Sequence, residues 1–84
     1  MNDSGSIEII ETRRGFGVID TVITGNVIWV NKEVIVFKNQ TETILLFTDN
    51  TEKYIWILNK RYSVEISSNE LGDKMRISEV KLLD

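Results

Sequence analysis

The chain has 84 residues, ten Lys or Arg against thirteen Asp or Glu, a formal net charge of −3, and neither cysteine nor histidine. That length holds one domain, expected over residues 1–84 with the polar residues 1–5 flexible. The composition excludes disulfides, thiolate metal sites and every catalytic arrangement built on His or Cys.

No apolar run reaches the roughly eighteen residues of a membrane-spanning helix. Residues 1–6 carry no hydrophobic signal core, so export is not expected. The lack of crosslinks fits a reducing compartment, and the expected location is cytoplasmic. The expected role is a binding one, not an enzymatic one, with no cofactor and no metal. Carboxylate pairs such as Glu8/Glu11 and Glu70/Asp73 would need a cleft that a barrel this small has little room for.

In chain order, residues 6–12 are short, β-branched and charged, and predict a first strand. In Arg13-Arg14-Gly15-Phe16-Gly17 the two glycines break any helix and suit a strand with a bulge, or one passed closely by another backbone. Residues 18–24 are strongly β-forming. Gly25-Asn26 is a turn signal, followed by a strand over 27–30. Asn31-Lys32 then predicts a hairpin to a strand over 34–37, through a tight turn or a longer bulged loop.

Residues 38–43 read as a loop and 44–47 as a strand. Residues 49–52 form a turn, because Asp49 and Asn50 side chains can bond their own backbone. A strand over 54–58 and a turn over 59–61 follow. Residues 62–67 alternate cleanly, with Tyr62, Val64 and Ile66 inward. Residues 68–74 read as a loop and 75–83 as the last strand. The apolar phase of that strand shifts between Ile77 and Val80, which predicts a bulge or a switch of face.

The expected fold is therefore all-β, a small antiparallel barrel of about five to seven strands, OB-like or SH3-like. The runs 27–30, 34–37, 44–47 and 54–58 are apolar on both faces. Either the sheet curls and covers both faces, or an apolar face meets a partner, a second copy of the chain included.

Arg14-Gly15-Phe16-Gly17-Val18-Ile19 resembles the first ribonucleoprotein motif of cold-shock domains, typically Lys-Gly-Phe-Gly-Phe-Ile. Val27-Ile28-Trp29-Val30-Asn31 stands where that family carries its second motif, Val-Phe-Val-His-Phe. Residues 62–66 and 77–80 are similar to its last two strands. Val18 replaces the second aromatic of the first motif, and Ile28, Val30 and Asn31 replace the aromatic–histidine–aromatic set of the second. The resemblance implies an OB barrel with exposed aromatics stacking on bases of single-stranded RNA or DNA.

Two functions follow as expectations. The first is single-stranded nucleic-acid binding by Arg13, Arg14, Phe16 and Trp29, with Lys60 and Arg61 as a second cationic pair beside Tyr62 and with Lys32 and Lys38 in reach of phosphates. Base stacking on an aromatic is worth on the order of 1–3 kcal/mol. The second is a protein-interaction or assembly module, for example a small inhibitor or particle component, acting through an apolar face or strand edge. The acidic balance favours the second, since like charge repels phosphate. In both, Phe16 and the tryptophans have an alternative as core aromatics.

Overall fold

A computed structural model describes residues 5–69 and 75–83. It is all-β, with six strands in one antiparallel sheet. They are β1 (Glu8–Gly15), β2 (Val18–Val30), β3 (Val34–Lys38), β4 (Thr43–Phe47), β5 (Lys60–Asn69) and β6 (Met75–Leu82). A single 3-10 turn, Thr51–Lys53, is the one helical element among the described residues. None of their helices is long and apolar enough to cross a membrane.

The sheet is organised around β2. One edge pairs with β5 along its length, from Val18↔Asn69 to Val27↔Lys60. The other edge is shared. β1 takes residues 18–24, and β3 takes residues 27–30. β4 and β6 flank β3 and β5, giving the order β4-β3-β2-β5-β6.

The sheet curls until its two ends meet. Asn50 makes the junction from a buried position: its Nδ2 donates to Ile77 O at 3.1 Å and its Oδ1 accepts from Ile77 N at 2.8 Å. Thr48 Oγ1 donates to Met75 O at 3.1 Å, and Asp49 N donates to the same carbonyl at 3.4 Å. The result is a barrel-like curl, closed by the Asn50 and Thr48 side chains and one main-chain bond where a ladder would otherwise stand.

The core lies inside this curl: Ile23, Val27, Ile35, Phe37, Leu46, Tyr62, Val64, Ile66 and Ile77. Val27, Ile35, Phe37 and Val64 are wholly buried, each worth roughly 1.5–3 kcal/mol of apolar transfer. Tyr62, Val64 and Ile66 face inward as their alternation predicts. The phase shift in β6 is a bulge. Ile66 faces Ile77 and Glu65 faces Glu79, so Ser78 is the extra residue.

Three expectations are corrected. Gly25-Asn26 is not a turn, because β2 runs straight through it. Gly25 is a close-approach glycine: a Cβ there would stand 3.0 Å from Ile7 Cγ1 and 3.4 Å from Phe37 Cδ2. Residues 54–58 are not a strand. They keep a strand's alternation, with Tyr54 and Trp56 packed against the core and Ile55 and Ile57 outward. Side chains provide the hydrogen bonds: Ile57 N donates to Tyr62 Oη at 2.9 Å, and Trp56 Nε1 donates to Thr51 O at 3.0 Å. The Trp56 ring lies 5.2 Å from Tyr62 and 6.2 Å from Tyr54. The first strand begins at Glu8 and runs on through both arginines to Gly15. The expected loop over 68–74 falls largely outside the described residues, and β5 continues to Asn69.

The Asn31 link is a three-residue connection. Asn31 Oδ1 accepts from Glu33 N at 3.0 Å and Val34 N at 3.1 Å, the side-chain-to-backbone bonding its residue type favours in turns.

Candidate functional site

The stretch 13–17 runs from the end of β1 through the Phe16-Gly17 turn that leads into β2. Gly15, Phe16 and Gly17 all have positive φ, at 93°, 56° and 75°. Glycine accepts that region freely, whereas a bulky residue is held there only by its surroundings. The turn throws the Phe16 side chain into solvent, where it is fully exposed.

The arginines before the turn part company. Arg13 stands opposite Ile19, on the concave face of the sheet. Arg14 Nε pairs with Asp20 Oδ2 at 2.5 Å, on the convex face. Asp20 Oδ1 also accepts from Ser67 Oγ at 2.8 Å. Arg76 faces Ser67 across the β5–β6 ladder. Arg14, Arg76, Val18, Ser67, Ser68 and Asn69 line an open depression of about 280 Å³ there.

Trp29 is elsewhere. It lies at the far end of β2, thirteen positions from Phe16, a contour of roughly 40 Å at ~3.3 Å per residue. Lys60 pairs with Val27 and Arg61 with Asn26, so both belong to the Trp29 end of β2. Arg61 Nη2 donates to Ser6 O at 3.1 Å, which ties down the segment before β1. Lys60 is exposed. The six expected site residues therefore form two groups: Arg13, Arg14 and Phe16 at the hairpin tip, and Trp29 with Lys60 and Arg61 at the other end.

No protein-family model, curated protein or solved structure matches this chain. What it presents to a partner has to be read from its surface.

Around Trp29 that surface is apolar. The register shifts between Val27 and Trp29, with Ile28 as the extra residue. Without the shift, Trp29 would share the inward phase of Val27. With it, Trp29 turns outward and is 56 % exposed. Trp29 stands directly opposite Val36, and Val36 directly opposite Leu45, which is 55 % exposed. The next row holds Val34 opposite Phe47, which is 61 % exposed. Cross-strand neighbours lie about 5 Å apart, so these five side chains form one continuous patch on the convex face of β2–β3–β4. The apolar runs on both faces were its sequence signal, but only the bulge decides that Trp29 joins it.

Proposed function

We propose that the protein is a small binding module that docks another protein on the convex apolar face of β2–β3–β4. The observation that carries this reading is the Trp29–Val36–Leu45 row with Phe47 beside it, three of its four side chains more than half exposed. Monomeric proteins seldom leave contiguous large apolar patches open to water. A tryptophan and a phenylalanine flanked by aliphatic side chains also match the core composition of protein interfaces. The curled sheet, in its OB-like or SH3-like form, serves as rigid support for that face and implies no chemistry of its own.

The test is quantitative capture from lysate by immobilised protein, with parallel Trp29→Ser/Leu45→Ser and Phe16→Ala variants. A partner held by wild type and by Phe16→Ala, and released by the double variant, is the expected result. Equal capture by all three, or none by any, overturns the reading.

The hairpin tip supports a second reading, single-stranded nucleic-acid binding. Its observation is the solvent-directed Phe16 ring beside Arg13 and Arg14, with Arg76 across the depression. The split between Phe16 and Trp29 reduces the platform to one ring. Anisotropy of a labelled oligonucleotide at low salt tests it. Binding should fall in Phe16→Ala and Arg14→Ala, and fall steeply with salt. No binding at low salt removes this reading.

A further inference from the structure

We infer that residues 54–58 take an extended segment of another polypeptide along their open edge, a segment apolar at alternate positions and acidic at both ends. The inference rests on the main-chain groups of this stretch and not on the convex face of β2–β3–β4, so it stands or falls apart from the proposed function.

Tyr-Ile-Trp-Ile-Leu is a strand-forming sequence that has no ladder here. Tyr54 is extended, at φ −124° and ψ 153°. Tyr54 and Trp56 pack against the core, whereas Ile55 is 91 % exposed and Ile57 and Leu58 are exposed beside it. Tyr54 N donates to Thr51 O at 3.2 Å, and Ile57 N donates to Tyr62 Oη at 2.9 Å. Among the described residues, no hydrogen bond reaches the N–H of Ile55, Trp56 or Leu58, or any C=O of residues 54–58. Main-chain polar groups are obligatory hydrogen-bonding groups, so these are left for water or for a partner.

Successive N–H groups of an extended chain point to opposite edges. Ile57 N turns to Tyr62, so Trp56 and Leu58 offer their N–H and C=O groups at the other edge. Groups spaced two residues apart are matched by another extended chain. Such a chain gains main-chain bonds there and packs its alternate side chains beside Ile55 and Ile57.

Charge selects the occupant. Lys53 precedes the stretch and Lys60 follows it, both exposed. Neither makes an ion pair among the described residues. Glu52 stands one residue further out, in the 3-10 turn. A lysine at each end complements a segment with a carboxylate at each end, whichever way that segment runs. A second copy in antiparallel register about Trp56 would instead bring Lys53 of each chain near Lys60 of the other, and like charges oppose that pairing.

Fluorescence anisotropy tests the inference with two labelled peptides, Glu-Val-Thr-Val-Thr-Val-Glu and Lys-Val-Thr-Val-Thr-Val-Lys. Wild type should bind the acidic peptide about tenfold more tightly than the basic one. Lys53→Glu/Lys60→Glu should reverse that preference. Leu58→Pro, which removes an N–H that the fold does not use, should lose the acidic peptide with circular dichroism unchanged. Trp29→Ser/Leu45→Ser, which strips the convex face, should bind it like wild type. Failure of wild type to bind the acidic peptide, equal binding of both peptides, a preference that survives the charge reversal, binding kept by Leu58→Pro, or binding lost with Trp29 and Leu45 would each overturn the inference. The last would place the peptide on the convex face.

Discussion

The two halves of β2 are one strand with two fates. From Ile23 to Val27 its inward residues are buried beneath Phe37 and Leu46 of the β3–β4 hairpin. From Val18 to Val22 none is buried, and every residue of the neighbouring β1 is exposed. Both halves are β-branched and both are fully paired to β5. What differs is the layer above the inner face: Phe37 and Leu46 of the β3–β4 hairpin join Ile23 and Val27 in the core, even though Ile23 itself still pairs with β1. Pairing makes a strand, but only a covering layer makes it core.

That contrast is broken most directly by truncating one side chain in each half. Phe37→Ala should cost about 3–5 kcal/mol, a large share of the roughly 5–15 kcal/mol that holds a domain folded. Ile10→Ala, on exposed β1, should stay within about 0.5 kcal/mol. Urea denaturation reads both, and equal losses would dissolve the distinction.

Next in size is the junction that lets the covered half close. Asn50→Ala leaves Ile77 N and O without their buried partners and should cost about 1–3 kcal/mol. A thermal melt within one degree of wild type would mean that the curl closes without it. Gly25 lies within the covered half. Gly25→Ala should lose about 1–2 kcal/mol by crowding Ile7. Ile7→Ala in the same chain should return part of that loss, and strictly additive effects would place the crowding elsewhere.

The smallest effect belongs to the open half. Glu65 and Glu79 stand directly opposite across β5–β6. Lys81 Nζ lies 3.9 Å from Glu79, an exposed pair of little weight. Glu79→Lys should therefore gain about 0.5 kcal/mol, a gain that added salt reduces.

Much of the fold is legible in the residues. The alternation of Tyr62, Val64 and Ile66 gives β5 its inner face, and the slip between Ile77 and Val80 marks the bulge in β6. Gly25 misleads because a turn glycine and a close-approach glycine are the same letter, and only the passage of Ile7 tells them apart. Residues 54–58 mislead because their side chains do alternate, while the missing ladder is replaced by a tyrosine hydroxyl from five residues on.

The candidate site was legible in its parts and not in its arrangement. Arg13, Arg14 and Phe16 are neighbours at one hairpin, but the ladder sends Arg13 to the concave face and Arg14 to the convex one. Residue type alone would group Trp29 with them, and the length of β2 separates them. The apolar runs signal the row without fixing its members, because a single extra residue at Ile28 decides which side of the sheet Trp29 takes.

The seam at Asn50 has a dynamic consequence. Ile77 N is tied to one amide side chain, whereas Val64 stands in ladders on both sides. Swinging Asn50 aside frees the Ile77 amide and breaks no strand pairing. Deuterium should reach the Ile77 amide through that breathing long before it reaches Val64, which waits for the whole domain to unfold.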